Sequence, residues 1–173
     1  KIARPYETTP FVGYHELKYH SVIIDILING NIAPSVAKGQ PASIILETTP
    51  FYGEMGGQVG DTGEIRCPSG RFIVTSTLRM PPDIIVHRGQ VAEGRLEVGE
   101  TVEAEVDRER RLDIARNHTA THLLQYALRQ VLGTHVEQRG SLVAPEQFRF
   151  DFSHLTALTP DELKQVQSLV NEK

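Results

Sequence analysis

Short hydrophobic runs separated by glycine and proline dominate the first 106 residues of the chain. Most of these runs are rich in β-branched residues, which is typical of strands bounded by turns. Several short strands at such spacing predict a small antiparallel β-barrel or a sandwich. The predicted strands are Val22–Leu27, Pro41–Leu46, Gly63–Cys67, Arg71–Thr75, Ile84–His87 and Thr101–Val106.

The hydrophobic period changes at Asp107, where a helical pattern begins and runs to about Leu132. Gly133 follows it, and glycine is favoured just after the C-terminal end of a helix. Two runs with strand-like alternation come next and predict a β-hairpin. They are Val136–Val143 and Phe148–Phe152.

A second helix is predicted to begin at Thr159, which is a suitable N-cap residue. Pro160 suits the first helical position, and Glu162 stands where a capping box requires an acidic residue. The helix then carries an apolar stripe formed by Leu163, Val166, Leu169 and Val170. Since no stop signal follows and the sequence opens without methionine, we expect an excised piece of a longer intracellular, cytoplasmic protein.

These patterns together predict an α+β fold in two domains. Residues 1–106 would form a small antiparallel β-barrel subdomain that carries a glycine-rich motif. Residues 107–173 would form the first part of an α+β core, made of a helix, a β-hairpin and a helix, truncated at its C-terminal end. No apolar run reaches the roughly 18 residues of a membrane span, so no membrane partner is predicted.

The composition narrows the function classes. Eighteen Lys and Arg against 22 Asp and Glu give a net charge of −4. This excludes a uniformly basic nucleic-acid-binding protein, although a local basic patch remains open. The single cysteine, Cys67, excludes an internal disulfide and a cysteine-rich zinc finger.

The sharpest candidate for chemistry is the histidine pair His118 and His122 in the first predicted helix. Two histidines four residues apart lie on one helix face and are able to share a metal ion. Helical phase puts them roughly 170° from the apolar stripe of the same helix. Two ligands are too few for zinc, which takes four, or three and a water. The pair therefore predicts either an incomplete zinc site away from the core or two ordinary histidines that face solvent, a cleft or a second layer.

Residues 47–63 form a second candidate, called the glycine-rich segment below. Five glycines stand within eleven of its residues, and glycines expose backbone N–H groups and allow close approach of a ligand. The spacing matches neither a phosphate-binding loop of nucleotide hydrolases nor a dinucleotide fingerprint. By itself, the pattern favours a turn-rich connection between strands.

The predicted hairpin carries the third candidate, Gln138. Alternation places Gln138 and Gly140 on one face of the first strand. A glutamine that faces a metal-bearing helix is able to orient a substrate, while an ordinary hairpin explains the same pattern.

In this order the three segments resemble the region of alanyl-tRNA synthetase that spans its editing domain. The AlaX-type alanyl-tRNA editing deacylases share the pattern. The resemblance covers the chain from about Thr9 onward and is closest to the full-length bacterial type. The residues that carry it are Thr49–Tyr52, Gly56–Gly63, Arg116–Leu124, Gly133–Val143 and Arg149–His154.

The resemblance implies site residues one by one. His118 and His122 match the first zinc pair, whose Cys-x3-His partners would lie downstream of Lys173. Gln138 and Thr49 match catalytic residues, the first lining the editing pocket and the second discriminating a serine hydroxyl. The residues implied to contact tRNA are Gly56, Gly57, Gln58 and Arg116.

The implied function is a fragment of an alanine–tRNA ligase that hydrolyses tRNA(Ala) mischarged with serine or glycine. The partner would be the acceptor end of tRNA(Ala) and the cofactor zinc, with ATP and magnesium confined to an absent aminoacylation domain. We expect this fragment by itself to be inactive. Two alternatives stay open, a non-catalytic tRNA-binding or spacer module and a free-standing deacylase.

The arginines of residues 107–140 admit two interpretations. Their number suits a basic patch for RNA phosphates. A solvated helix face explains them equally well, because Glu109 and Asp113 are interspersed.

Overall fold

The computed structural model describes residues 8–152 and 157–172. Ser153 and His154, the last two residues of the motifs above, lie outside these ranges. The chain divides into two compact units: the described residues up to Met55 together with Val59–Arg110, and Gly56–Gln58 together with the described residues from Arg111 onward. Among the described residues, no helix is long and apolar enough to cross a membrane.

The first unit is built around an antiparallel barrel, as the strand spacing predicts. Six strands close on themselves in the order β1-β4-β7-β6-β5-β8, because β1 also pairs with β8. Two short strands pair with the barrel, β2 with β1 and β3 with β7. The bounds are β1 Lys18–Ile28, β2 Asn31–Ala33, β3 Ser35–Ala37, β4 Pro41–Leu46, β5 Gly63–Cys67, β6 Gly70–Met80, β7 Ile84–Glu97 and β8 Thr101–Val106.

Alternation along the barrel strands places one set of side chains in a common core. Fully buried members include Ile26, Ile44, Ile65 and Phe72, which come from four different strands. The predicted strands at Pro41–Leu46, Gly63–Cys67 and Thr101–Val106 have the same bounds in the structure. The predicted strand Ile84–His87 begins at the correct residue but is too short, since β7 continues to Glu97.

The extra length of β7 has a structural cause. Its residues up to Gly94 pair with β6, those from His87 to Gln90 also pair with β4, and those from Arg95 to Glu97 pair with β3. Backbone hydrogen bonds to two neighbours hold a strand together even where its side chains are not apolar. Val91 and Leu96 still reach the core, with 1% and 0% of their surfaces exposed.

The second unit contains helix α1 (Arg108–Leu132), a hairpin of β9 (Gln138–Val143) and β10 (Phe148–Phe152), and helix α2 (Pro160–Asn171). Its core joins Ala127 and Leu128 of α1 with Val136 and with Val166 of α2. Val136 was predicted inside the first hairpin strand, but it precedes β9 and is buried in this core instead.

The helix boundaries follow the predicted capping chemistry. The Asp107 carboxylate accepts a hydrogen bond from the Arg110 N–H at 3.1 Å, which caps α1. Gly133 has a positive φ of 115°. Thr159 and Glu162 form the complete capping box of α2. One residue of the predicted apolar stripe is misplaced, since Leu163 is 52% exposed.

Candidate functional site

The two predicted metal ligands lie side by side on the exposed face of α1. His118 Nε2 and His122 Nε2 are 3.0 Å apart. Their rings meet edge to face, with centroids 4.7 Å apart and planes at 77°. Both residues are exposed, as the helical phase predicts. One helix turn therefore presents two imidazole nitrogens to the same point.

This geometry suits a shared metal ion. Zinc binds imidazole nitrogen at about 2.0–2.1 Å, so two ligands of one tetrahedral ion are about 3.3 Å apart. A hydrogen bond between two neutral rings also fits the observed separation, because one nitrogen then donates and the other accepts. Among residues 8–152 and 157–172, no group of three or more histidine, cysteine or acidic residues could hold a metal. Any zinc site built on this pair needs further ligands.

A polar depression of about 450 Å³ lies beside the pair in the second unit. His122 borders it together with Gln125, Tyr126 and Arg129 of the same helix. Arg129 also donates to the Thr134 carbonyl oxygen at 3.3 Å, which ties the end of α1 to the segment after it. The surface next to the histidines thus offers hydrogen-bonding groups rather than an apolar wall.

Two polar residues on α1 that were not predicted from the sequence make hydrogen bonds beside the histidines, and one of them ties the helix to the hairpin loop. The Asn117 side chain donates to the carbonyl oxygens of Ala144 and Pro145 in the hairpin loop. The Thr121 hydroxyl donates to the Asn117 carbonyl oxygen at 2.9 Å, and Thr121 is 6% exposed. A signal was available for Thr121, since Ile114 and Leu128 lie seven residues away on either side and share its buried face.

The remaining predicted residues of the second unit lie on separate elements. Gln138 is the first residue of β9 and pairs with Phe152. Arg116 lies on α1, with its side chain 75% exposed and bonded to Asp113 at 2.9 Å. Such an ion pair is what a solvated helix face would show. The roles of Gln138 and Arg116 stay predictions.

In the first unit, Thr49 anchors the start of the glycine-rich segment inside the barrel. It is fully buried, and its hydroxyl lies 2.7 Å from His87 Nε2. The other ring nitrogen, Nδ1, lies 2.8 Å from the Ile44 carbonyl oxygen. Since a carbonyl only accepts, Nδ1 carries the proton and Nε2 accepts from the threonine hydroxyl. The Thr49 oxygen in turn accepts from the Phe51 N–H at 3.0 Å.

Burial keeps His87 neutral. Burial lowers the pKa of His87 from 6.5 to about 4, although the hydrogen bond to Ile44 opposes the shift. His87 was not among the site residues predicted from the sequence. The signal for its burial was the apolar run Ile84–Val86 directly before it. The proposed substrate contact of Thr49 stays a prediction, and its hydroxyl is occupied by His87 in this structure.

Asp61 anchors the other end of the glycine-rich segment. Its carboxylate accepts from the Tyr52 N–H at 2.7 Å, and its own N–H donates to the Tyr52 carbonyl oxygen. The Thr77 hydroxyl donates to the Asp61 carbonyl oxygen at 2.8 Å. At Gly60 an added Cβ would lie 2.0 Å from the Thr77 carbonyl oxygen, so glycine is required there.

The tip of the segment belongs to the second unit. Gly56 and Gly57 have φ of 64° and 83°, which favours glycine at both positions. The Val143 N–H donates to the Gly57 carbonyl oxygen at 2.8 Å, and Gln58 forms a parallel bridge with Val143. Gly57 and Gln58, two of the three predicted tRNA-contacting residues of the tip, therefore lie against the end of β9.

Comparison with known families identifies the chain. The family model described as tRNA synthetases class II (A) matches residues 1–110, which is more than half of the sequence. The chain belongs to this family. The matched residues include the whole barrel and both anchors of the glycine-rich segment.

Curated relatives extend the similarity of this class II synthetase chain to the second unit. An alanine–tRNA ligase of Dehalococcoides mccartyi is 55% identical over 96% of the chain and 19% of its own length. Those of Chloroflexus aurantiacus and Burkholderia multivorans are 49% and 45% identical over 94% and 95% of the chain, and over 18% and 19% of their own lengths. The chain thus spans about a fifth of the length of the relatives it matches.

Proposed function

We propose that this chain is a segment of an alanine–tRNA ligase and contributes to hydrolysis of wrongly charged tRNA(Ala). The relatives are alanine–tRNA ligases, and the similarity to them runs through both units, which supports this proposal for the parent enzyme. The single observation that carries the hydrolytic role is the pair of imidazole nitrogens 3.0 Å apart on an exposed face. The proposed cellular place is the cytoplasm, and the proposed partner is the acceptor end of tRNA(Ala).

The need for such a site follows from the limits of binding selectivity. A pocket shaped for the methyl group of alanine does not strongly reject glycine. It also does not strongly reject serine, which merely adds a hydroxyl. A second, hydrolytic site with a different shape removes both errors. The substrates we propose are therefore Ser-tRNA(Ala) and Gly-tRNA(Ala).

In this proposal His118 and His122 are neutral ligands of a zinc ion. Bound zinc supplies a Lewis acid for polar groups of the aminoacyl ester or for water. Gln138 orients the ester or the attacking water. Arg116 contacts tRNA, and the tip residues Gly56–Gln58 bring backbone close to the acceptor end. ATP and magnesium would serve alanine activation elsewhere in the parent enzyme.

For Thr49 we propose two alternative roles, which a substitution of Thr49 distinguishes. A direct contact with the serine hydroxyl would change substrate preference. A role in anchoring the glycine-rich segment through His87 would change stability and the activity on both substrates alike. The burial of Thr49 supports the second role.

The test uses the parent enzyme with His118→Ala, and His135→Ala as a matched control on an exposed histidine of the same unit. We measure zinc content by elemental analysis and the release of serine from Ser-tRNA(Ala). His118→Ala should lose bound zinc and at least about tenfold of the hydrolysis rate, while the control keeps both. Unchanged zinc content and unchanged hydrolysis in His118→Ala would contradict the proposal.

A second candidate is a tRNA-binding module without catalysis. The observation that favours it is that the described residues offer only two neighbouring metal ligands. Zinc content separates the candidates: absence of zinc from both this chain and the parent enzyme favours the binding module. Zinc in the parent enzyme that His118→Ala removes favours the hydrolytic site.

A further inference from the structure

A groove of about 490 Å³ lies on the outer surface of the barrel, on the first unit alone. The strand register lines up one row of side chains across it. Leu27 of β1 is opposite Ser43 of β4, Ser43 is opposite Arg88 of β7, and Arg88 is opposite Ser76 of β6. Asn29 and Gln90 complete the polar lining. None of the hypotheses above uses this surface.

Arg88 differs from the other arginines of the barrel strands. Four of the five have carboxylate partners: Arg66, Arg71, Arg79 and Arg95, at closest distances between 2.5 and 3.0 Å. Within the part of the chain that the structure describes, the exposed Arg88 has no carboxylate within 4.0 Å. An arginine left without a carboxylate in a groove is a ready donor for an anion.

The lining of the groove supports an anionic ligand. It contains arginine, serine, threonine, asparagine and glutamine and no aspartate or glutamate. A neighbouring groove on the same barrel is lined by Glu64, Glu105 and Asp107, and its single arginine, Arg66, is already paired with both glutamates. Acidic residues, which outnumber basic ones in the chain, are thus absent from the lining of the Arg88 groove.

The backbone around Arg88 is shaped for close approach. The ladder between β6 and β7 shifts register between Val74 and Ser76, so Thr75 forms a bulge opposite Arg88. Bulges re-aim side chains and often lie beside binding sites. The next residue, Gly89, has no room for a side chain, since an added Cβ would lie 1.7 Å from the Ile73 carbonyl oxygen. Glycine is therefore required beside Arg88, at a position that lines the groove.

We propose that this groove binds the phosphodiester backbone of an RNA strand, with Arg88 on a phosphate and the serine and amide groups on phosphate or ribose oxygens. The inference rests on the proposed function in one respect, that the ligand is tRNA. Since the lining contains no aromatic residue on which a base stacks, the contact positions the RNA without reading its sequence.

The test measures binding of a fluorescent tRNA(Ala) transcript to this chain by polarisation over a series of salt concentrations. Arg88→Gln should weaken binding roughly threefold to tenfold at low salt. It should reduce the slope of log K against log salt by about 0.7 to 0.9, the value of one lost phosphate contact. Arg88→Lys, which keeps the charge, should retain the slope. Circular dichroism spectra confirm that each variant is folded.

Arg95→Gln is the matched control, because Arg95 is an exposed arginine on the same strand but is paired with Glu97. It should bind like the unaltered chain. Ser43→Asp places a carboxylate next to Arg88 and should weaken binding at least as much as Arg88→Gln. Equal binding by Arg88→Gln, Ser43→Asp and the unaltered chain overturns the inference, as does an equal loss in Arg95→Gln.

Competition separates the possible anions. Poly-uridylate should displace the transcript by competing for Arg88. Inorganic phosphate or poly-glutamate at equal ionic strength should not. Displacement by either of these through Arg88 would mean a small-anion or acidic-peptide site and would overturn the RNA assignment. Loss of zinc-dependent hydrolysis in His118→Ala is measured independently, so failure of this inference and failure of the proposed function give different results.

Discussion

His87 of the barrel and the histidine pair of helix α1 lie in opposite environments. His87 is fully buried, and both of its ring nitrogens have partners inside the barrel. His118 and His122 are exposed, and the facing nitrogens form the only side-chain hydrogen bond that either ring makes among the described residues. A histidine whose nitrogens are both used internally stabilises its fold. A histidine pair that points outward is free to bind a ligand.

The largest expected effect comes from removing the buried histidine of the barrel. His87→Ala leaves a cavity and removes a partner from both the Thr49 hydroxyl and the Ile44 carbonyl oxygen. We expect the free energy of unfolding to fall by about 3 kcal/mol. Urea denaturation at pH 7 measures it. The exposed His20, whose side chain is 76% accessible, provides the control: His20→Ala should change the free energy by less than about 0.5 kcal/mol.

A loss of less than about 1 kcal/mol in His87→Ala would contradict the role assigned to the buried network. Thr49→Val, which keeps the shape but removes the hydroxyl, tests the same network from the other side. It should cost about 1–3 kcal/mol, and Thr49→Ser should cost less because it retains the donor.

The next effect is a loss of folding stability at acidic pH. The pKa of His87 is about 4 in the folded chain and 6.5 in its ordinary state. Between these values the unfolded chain binds a proton that the folded chain does not. The stability from neutral His87 is therefore complete above pH 6.5 and falls as the pH drops toward 4. The difference corresponds to about 3 kcal/mol.

The measurement compares urea denaturation at several pH values between 7 and 4 for the unaltered chain and for His87→Gln. Glutamine does not titrate and is closer to histidine in size than alanine. The unaltered chain should lose about 3 kcal/mol more than the variant over this range. Parallel pH profiles would show that His87 is not the group that titrates.

The sequence predicts features of local chemistry more closely than features set by pairing between distant strands. Elements defined by local chemistry were predicted closely: the hairpin strand Phe148–Phe152, the α2 start at Thr159 and the exposed face of His118 all follow from patterns a few residues long. Closure of the barrel and the length of β7 depend on pairing between distant strands, which a single strand does not encode.

The same reason explains what was missed in the candidate site. Thr49 and His87 are 38 residues apart and meet only because β4 pairs with β7. The sequence predicted a role for Thr49 in the site but gave no partner for it. His118 and His122 need only one helix turn to meet, so their proximity was predictable from spacing alone. Contacts within one element can be predicted from a sequence, whereas contacts set by the register between distant strands cannot.

The smallest expected effect comes from the exposed histidine pair of α1. His122→Ala removes an exposed side chain whose ring contacts His118, and alanine favours helix. Without metal, the free energy of unfolding should therefore change by less than about 0.5 kcal/mol. Urea denaturation in the presence of a chelator measures it, with His87→Ala as the destabilised reference. A loss above about 2 kcal/mol would make the pair structural, because a surface site reserved for a ligand contributes little to the fold when that ligand is absent.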